Sequence, residues 1–314
     1  MRDGRAEPRV AIVVLTWNGR EDLLECLHSV GRLDYRNVET VVVDNASTDG
    51  TAGAVRARFP SATVVSNRAN LGYAGGNNAG MRFCADRGAE FYFLLNNDIV
   101  LDPGCLRELV AVAERHPEGG MFGPKTYRYG LGRVLDFVGG VIEWNSGETR
   151  NIGCGEADTG QYEEVRAFDF MNGHALLVRK SVADRIGPLD EEYFIYNEET
   201  DWCVRARKAG FTSIYAPRAL VWHKVSRSPL SMVRDYLLVR NRILFMRKNA
   251  SRRQFARFLL RFCLIRLPRS AAGCALRGDW AGAAVIAKAA GWHLGMWRRN
   301  NPLTALRERE ASRG

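Results

Sequence analysis

Short apolar runs alternate with helical patterns along the first half of the chain. Three of the runs, VAIVVLT, VETVVVD and FYFLLN, are rich in β-branched or aromatic residues. Runs of this kind are typical of parallel strands that are buried on both faces. The predicted strands are residues 10–16, 38–44, 62–66 and 91–95, and the predicted helices are residues 20–31, 51–59, 76–88 and 103–116. The alternation predicts an α/β fold that begins with a doubly wound half.

Polar residues stand where each of these three strands is predicted to end. In open α/β sheets, ligands bind outside the carboxyl ends of the parallel strands. The sequence therefore predicts a single polar crevice. It is lined by Thr16, Asn18, Asp44, Asn45, Asn96, Asn97 and Asp98.

The character of the chain changes after this half. Residues 133–180 are glycine-rich with short β-type pieces, and residues 198–209 predict a helix that stops at Gly210. Helical patterns follow Pro229. We therefore predict a globular domain over residues 1–228 and a helical, membrane-associating region over residues 229–314.

The helical region is amphipathic and strongly basic. Residues 224–314 contain 20 Lys/Arg and 4 Asp/Glu, a net charge of +16, whereas residues 1–223 contain 25 and 31, a net charge of −6. On a helical wheel of residues 252–265, an apolar face opposes a basic one, and the following Arg266 intrudes on the apolar side. The faces consist of Phe255, Phe258, Leu259, Phe262 and Ile265, and of Arg253, Arg257 and Arg261.

This pattern predicts a helix pair that lies in the interface of an anionic membrane. Residues 280–297 have Trp at both ends and are borderline in length for a span, so an interfacial position is expected for them too. An ordinary helix pair packed on the core is the alternative. Nucleic acid is disfavoured as a partner, because the Arg residues alternate with aliphatic ones instead of flanking exposed aromatic rings.

Cysteine usage and the N-terminus indicate the compartment. The seven cysteines are scattered and form no CxxC pair, which favours free thiols in a reducing environment over disulfides or a zinc site. The N-terminal residues lack an apolar signal core, so export is not expected. We expect a peripheral protein on the cytoplasmic face of the plasma membrane.

Two polar segments of the first half suit nucleotide binding. The Asp44 carboxylate can accept hydrogen bonds from a base or a ribose, whereas Ser47 and Asp49 are explained as caps of the next helix. The segment NLGYAGGNNAG supplies Asn70, Gly72, Gly76 and Asn77. It is either a phosphate-binding loop that enters a helix or a plain turn.

Three further groups suit catalysis. Asn96-Asn97-Asp98 can hold Mg²⁺ or Mn²⁺ that already carries phosphates, although it is also a good turn sequence. Glu198, Glu199 and Asp201 open a predicted helix, where the helix dipole favours acids. These acids follow aromatic residues, which also suits a general base beside a sugar platform. His223 follows an apolar run, where a structural role is the usual one.

In their order along the chain, these motifs resemble those of glycosyltransferase family 2, in particular its bacterial rhamnosyltransferase and galactofuranosyltransferase-like branch. The resemblance extends from Val10 to His223. It rests on TWN, VDNASTDGT, NLGYAGGNN, LLNND, FMNGHALLVRK, GPLDEEYFIYNEETDWCVRARKAG and the late Trp-His pair.

The resemblance implies a GT-A fold and a role for each motif. Thr16 and Asp44 match positions that hold base and ribose, and Asn96–Asp98 match the Asp-x-Asp motif that binds metal and diphosphate. The first Asp of that motif is replaced by Asn96, which leaves Asp98 as the main carboxylate ligand. His223 matches the histidine that completes the metal site. Glu199 matches the catalytic base, with Glu198 as the substitute, and Asp201 matches an orienting or acceptor-binding acid.

The implied reaction is inverting sugar transfer with Mg²⁺ or Mn²⁺ as cofactor. The expected donor is dTDP-rhamnose or a UDP-sugar, and the expected acceptor is a polyprenyl-linked saccharide. A non-catalytic nucleotide-sugar-binding protein is the alternative. Such a protein would have no use for Glu199 and His223 together.

Overall fold

The computed structural model describes residues 6–225 and 231–295. Within these ranges the chain divides into two compact units. The first comprises residues 6–141, Asn151–Phe194 and 198–225. The second comprises Ile142–Arg150, Ile195–Asn197 and residues 231–295, so two short segments of the predicted globular domain belong to the helical unit.

The first unit contains most of the strands and six helices among its described residues. Its strands are β1 (Val10–Thr16), β2 (Val38–Asp44), β3 (Thr63–Ser66), β4 (Phe91–Asn96), β5 (Ile99–Leu101), β6 (Gly119–Arg128), β7 (Leu135–Phe137), β10 (Arg166–Phe168), β11 (Ala175–Arg179) and β12 (Thr212–His223), while β8 (Gly139–Glu143) and β9 (Glu148–Ile152) are divided between the two units. The helices are α1 (Arg20–Val30), α2 (Thr51–Arg58), α3 (Gly72–Cys84), α4 (Cys105–Arg115), α5 (Lys180–Ile186) and α6 (Glu198–Lys208).

Ten strands form one mixed sheet in the order β10-β12-β6-β11-β4-β1-β2-β3, with β5 on β12 and β7 on β6. Strands β3, β2, β1 and β4 are parallel, whereas β11 runs antiparallel between β4 and β6. Strands β8 and β9 pair separately as a hairpin. The predicted strands therefore exist, and they adjoin as a doubly wound half requires.

The core of the first unit explains why its strands lack polar alternation. Residues Val10–Val14 of β1 are all fully buried, because helices cover both faces of the sheet. On one face, α1 and α4 bury Leu23, Leu27, Leu106 and Leu109 against the strands. The helix predictions differ from the structure at their ends, most of all in α3.

Helix α3 begins at Gly72, four residues before its predicted start. Gly75, Gly76 and Gly80 thus lie inside the helix and not in a loop before it. A methyl group at Gly76 would collide with Leu15, and one at Gly80 would lie 2.9 Å from Val43. The glycines let this helix approach the sheet closely, and this packing outweighs their low helix propensity. Both predictions for the segment, a phosphate loop and a plain turn, were therefore wrong about its backbone.

The second unit is helical apart from its short segments. Helix α7 (Ser231–Asn249) is followed by α8 (Arg252–Arg261), a π-helical turn (Phe262–Arg266), α9 (Leu267–Leu276), α10 (Trp280–Gly291) and a 3₁₀ turn (Trp292–Leu294). Ser251 and Gln254 form a capping box at the start of α8.

Part of the predicted apolar face of α8 is buried within this unit. Phe258 and Phe262 are 1% and 5% exposed, whereas Ile265 on the same face is 48% exposed. Trp144 stacks on Phe245 with ring centroids 5.8 Å apart. None of the helices in residues 6–225 and 231–295 has the length and apolar character that crossing a bilayer needs. Residues 296 and 297 of the second predicted interfacial segment lie outside the described ranges.

Candidate active site

The carboxyl ends of β1, β2 and β4 adjoin at one edge of the sheet. Thr16 is in register with Asp44, and Leu15 is in register with Asn96. The side chain of Asn97 donates to the carbonyl of Gly19, which ties the end of β4 to the turn after β1. The three strand ends that sequence patterning identified are thus neighbours.

The turns after β1 and β2 hold each other in place. The Asn18 backbone, with φ +50°, donates to Ser47 Oγ at 2.9 Å, and Asn18 Oδ1 accepts from the Thr48 amide at 2.8 Å. Asp44 Oδ1 accepts from the Ser47 amide at 3.0 Å. The Thr16 hydroxyl oxygen is buried and has no hydrogen-bond partner among the described residues. Thr16 and Asp44 therefore present polar atoms that a bound nucleotide can engage.

The amide side chains that were predicted to contact the nucleotide sugar form hydrogen bonds largely with other groups of the protein. Asn45 Nδ2 donates to the Gly72 carbonyl at 2.9 Å, and Asn70 Oδ1 accepts from the Gly72 amide at 2.9 Å. The Ala74 amide, in the first turn of α3, donates to the Phe194 carbonyl. Asn77 donates to Tyr73 one turn back, while its Oδ1 is buried without a partner in the described part of the chain. Asn45 and Asn70 thus shape the wall of the crevice.

Asp98 and His223 form the second part of the site. Asp98 follows β4, His223 ends β12, and His223 Nε2 lies 3.4 Å from Asp98 Oδ2. Asp98 Oδ1 is buried and has no partner among residues 6–225 and 231–295. Burial raises the pKa of Asp98, but the hydrogen bond and charge of His223 outweigh it, and the pKa lies below its usual value.

Asp136 on β7 orients the imidazole of His223. Its Oδ2 lies 2.8 Å from His223 Nδ1, and the ring of His174 stacks on the ring of His223 with centroids 5.0 Å apart. Burial alone lowers the pKa of His223, but the hydrogen bonds with Asp136 and Asp98 raise it to about 9. Burial lowers the pKa of His174 to about 3, so this ring is neutral.

A divalent cation fits between Asp98 and His223. A cation bound here would displace the Nε2 proton of His223, while Asp136 would still accept from Nδ1 and keep Nε2 turned toward Asp98, an arrangement typical of metal-binding histidines. The orphaned Asp98 Oδ1 supplies a hard oxygen ligand. In the described part of the chain, no three His, Cys, Asp or Glu side chains meet to hold a metal. The pair therefore suits Mg²⁺ or Mn²⁺ that takes its other ligands from phosphates and water.

Glu198 and Glu199 open α6 with buried, unpaired oxygens. Glu198 Oε2 and Glu199 Oε2 have no hydrogen-bond partner among the described residues. Burial raises the pKa of Glu199 to about 7. Burial and then the charge of Glu199 raise the pKa of Glu198 well above its usual value. A carboxylate that changes protonation near pH 7 is suited to general-base catalysis.

Tyr73 is close enough to Glu198 and Glu199 to feel their charges, and Asp201 lies in the same first turn of α6. Burial and then the charges of Glu198 and Glu199 raise the pKa of Tyr73, whose hydroxyl donates to the Gly173 carbonyl at 2.6 Å. Asp201 has both oxygens occupied, by the Tyr193 hydroxyl at 3.2 Å and by Arg205 Nε at 2.7 Å. Of the two roles expected for Asp201, this geometry favours orientation of α6 over contact with the acceptor.

Sequence reasoning missed Asp136 and Tyr73 as site residues and did not assign a role to His174. His174 lies in the FMNGHALLVRK motif, which was a usable signal. Asp136 lies in a short strand without any motif, and pairing of β7 with β6 gives it its position. Tyr73 lies among the glycines of α3, where the expected loop concealed it.

The chain is similar to known glycosyltransferases. A family model described as "Glycosyltransferase like family 2" matches residues 8–237. An N-acetylglucosaminyl-diphospho-decaprenol L-rhamnosyltransferase of Mycobacterium tuberculosis is 28% identical over 242 residues, which cover 69% of this chain and 76% of the relative. A dTDP-rhamnosyl transferase of Shigella flexneri is 24% identical over 253 residues, which cover 76% and 79%.

Solved structures show the same fold at low sequence identity. A mannosyltransferase from Pyrobaculum calidifontis, in complex with GDP-Man and Mn²⁺, superposes with a TM-score of 0.58 at 19% identity, covering 98% of this chain and 85% of that one. S. aureus TarS 1–349 in complex with UDP-GlcNAc gives 0.59 at 16% identity, covering 90% and 80%. The predicted GT-A fold is confirmed. Because the family model spans most of the chain and every predicted site residue, the chain belongs to glycosyltransferase-like family 2 and is a glycosyltransferase.

Proposed function

We propose that this enzyme transfers a hexosyl group, specifically rhamnose, from a nucleotide-diphosphate sugar to a hydroxyl of a polyprenyl-diphosphate-linked saccharide, with inversion. The two rhamnosyltransferase relatives support the sugar, and the name of the mycobacterial one supports the lipid-linked acceptor. dTDP-rhamnose is the preferred donor and a UDP-sugar is the alternative. The protein acts at the cytoplasmic face of the plasma membrane, in cell-surface polysaccharide synthesis.

The observation that carries the catalytic role is the pair of buried Glu198 and half-buried Glu199, each with a buried, unpaired Oε2 among the described residues. Glu199 has a pKa near 7, so at neutral pH a large fraction of it is ionised and able to accept a proton. Burial and the charge of Glu199 raise the pKa of Glu198 well above its usual value. We therefore take Glu199 as the general base and Glu198 as its neighbour in the same turn.

The reaction needs no covalent enzyme intermediate. Glu199 takes the proton of the acceptor hydroxyl as the acceptor oxygen bonds to the anomeric carbon. The bond between that carbon and the nucleotide diphosphate breaks on the opposite face, which inverts the configuration. Asp201 acts through Arg205 and Tyr193 to hold the first turn of α6 in place.

Thr16, Asp44 and the loop after β2 bind the nucleoside, and Asn96–Asp98 face its diphosphate. Asp98 and His223 would hold Mg²⁺ or Mn²⁺, and the cation would supply Lewis-acid stabilisation of the negative charge on the leaving diphosphate. Asp136 and His174 keep the imidazole of His223 turned toward Asp98.

Turnover with a panel of donors tests the proposal. Purified enzyme is given dTDP-rhamnose or UDP-sugars with a short-chain polyprenyl-diphosphate saccharide, and product is followed by mass spectrometry. Glu199→Gln should bind donor normally and lose roughly 10²–10⁴ in rate, the usual contribution of a general base. Glu114→Gln, the same change at an exposed position of α4, is the matched control.

The outcomes separate the assignments. If Glu198→Gln is inactive while Glu199→Gln is active, the base is Glu198. Full activity in both variants would contradict the catalytic assignment of this turn. Donor binding without transfer to any acceptor would support the non-catalytic alternative.

A further inference from the structure

The helical unit contains a groove whose walls combine arginines with apolar side chains. The groove has a volume of about 580 Å³ and lies among α7, α9, α10 and the π-helical turn. Its charged wall includes Arg242, Arg266, Arg269 and Arg277. Val239 and Ile286 belong to its apolar wall. An anionic head joined to a hydrocarbon chain matches both walls.

Positive charge exceeds negative charge in this groove. Arg242, whose side chain is 19% exposed, lies 3.5 Å from Glu148, and Arg266 binds the same carboxylate. Two guanidinium groups therefore share one acid. Burial and then the charge of Arg266 lower the pKa of Arg242 to about 10, so Arg242 remains cationic at neutral pH. Partly buried cations that share one carboxylate favour a further anion.

The other acids of the groove do not neutralise its remaining arginines. Asp235 pairs with its neighbour Arg234 at 3.5 Å, and Asp279 caps α10 by accepting from the Gly282 amide at 2.8 Å. Within residues 6–225 and 231–295, neither Arg269 nor Arg277 has a carboxylate within ion-pair distance. Their guanidinium groups are available to a ligand.

Two smaller grooves of the same unit share these residues. One, of about 420 Å³, shares Leu238 and Arg242 with the first groove and is also lined by Asn197. The other, of about 380 Å³, shares Phe262, Arg266 and Arg269 with it. The three grooves therefore share arginines within the helical unit.

We propose that these grooves bind the diphosphate and the first isoprenoid units of the acceptor lipid. Arg242, Arg266 and Arg269 bind the diphosphate, and the apolar wall takes the hydrocarbon. The proposal rests on the proposed function, because it specifies how the lipid-linked acceptor is held. A diphosphate suits this site better than a phospholipid phosphodiester, since it carries more charge for several guanidinium groups.

Farnesyl diphosphate, titrated calorimetrically into the full-length protein below its micellar concentration, is the probe. The test variant is Arg266→Gln/Arg269→Gln. The matched control is Arg253→Gln/Arg257→Gln, which removes the same charge from exposed positions of α8 outside the grooves. Removing two charge-assisted contacts should weaken binding of farnesyl diphosphate about tenfold or more, whereas the control should change it less than twofold.

A second measurement does not depend on folding of the variant. A photoreactive isoprenoid diphosphate, cross-linked to the wild-type enzyme, should label peptides from residues 231–295. Labelling confined to the first unit would overturn the proposal, and so would equal losses of affinity in the two double variants. Equal competition by vesicles of phosphatidylglycerol would also overturn it, in favour of a phospholipid site.

The groove assignment and the proposed function can each fail without the other. If the enzyme hydrolyses its sugar donor but does not bind farnesyl diphosphate, the groove assignment is wrong and the transferase assignment stands. If farnesyl diphosphate binds and Arg266→Gln/Arg269→Gln abolishes that binding, the groove assignment stands even when no lipid-linked saccharide is glycosylated.

Discussion

His223 Nδ1 lies 2.8 Å from Asp136 Oδ2, and this bond joins residues that are 87 positions apart in the chain. The bond fixes which imidazole nitrogen faces Asp98. Arg128 Nε contacts the other carboxylate oxygen, Asp136 Oδ1, at 3.4 Å. Asp136 Oδ2 is thus left to the histidine. Asp136 is therefore a positioning residue for the candidate metal site.

Removal of the Asp136 side chain should weaken metal binding, although Asp136 is not itself a ligand of the proposed metal. Loss of a carboxylate that orients a metal-binding histidine commonly reduces affinity about 10–100-fold, and we expect a loss in this range for Asp136→Ala. Asp98→Ala should abolish binding, and His223→Ala should weaken it. Electron paramagnetic resonance of free Mn²⁺ during titration with the enzyme–dTDP complex measures each affinity. Asp86→Ala, at an exposed position, is the control, and unchanged affinity in Asp136→Ala would remove the positioning role.

The pKa of Glu199 predicts the pH dependence of transfer. A general base is active when deprotonated, so kcat/KM should rise about tenfold per pH unit below the pKa of about 7 and level off above it. A pH–rate profile from pH 5.5 to pH 9 measures this. Glu114→Gln should keep the profile, whereas Glu199→Gln should lose its rising limb. A rate that does not change between pH 5.5 and pH 7 contradicts the assignment.

The same raised pKa makes Glu199 a destabilising residue at neutral pH. Between its usual pKa of 4.5 and the folded-state value of about 7, the folded protein binds more protons than the unfolded chain. The free energy of unfolding therefore falls as pH rises through this window. Glu199→Gln cannot ionise, so its melting temperature should fall less than that of the wild type between pH 5 and pH 8. Parallel decreases in the two proteins would show that Glu199 does not titrate in this window.

Two helical glycines should respond oppositely to alanine. At Gly80 in α3, a methyl group would collide with Val13 and lie 2.9 Å from Val43, and such overpacking costs about 1–3 kcal/mol. At Gly53 in α2, no atom lies within 4 Å of the added methyl, so higher helix propensity should stabilise the protein by up to about 1 kcal/mol. Urea unfolding of both variants measures the difference. Similar stabilities would contradict the close packing of α3.

These glycines also show where the sequence is informative and where it is not. The apolar runs predicted β1, β2 and β4, because burial on both faces leaves a local record in residue type. The polar strand ends then predicted the crevice. The start of α3 was missed because glycine normally disfavours helices, and only contact with Leu15, Val13 and Val43 makes it advantageous there.

Contacts between residues far apart in the chain explain the other features that the sequence did not predict. Asp136 meets His223 because β7 and β12 both pair with β6, and no local pattern encodes that meeting. Burial of Glu198 and Glu199 also depends on packing around α6. The sequence identified these acids, but it could not separate a base with a pKa near 7 from a solvated pair favoured by the helix dipole.

Charge on the helical region should bring the full-length protein to anionic membranes. Each basic group near such a surface contributes ~1 kcal/mol, and salt shortens the reach of these charges. Co-sedimentation with phosphatidylglycerol vesicles should therefore be strong at low salt and weak at high salt. Arg252→Gln/Arg253→Gln/Arg257→Gln, at exposed positions, should weaken it, whereas Arg56→Gln/Arg58→Gln/Arg115→Gln removes the same charge from exposed positions of the first unit and should not. Equal losses in both triple variants would show that net charge acts without a dedicated surface. Binding that resists salt would indicate insertion of apolar side chains as the main contribution.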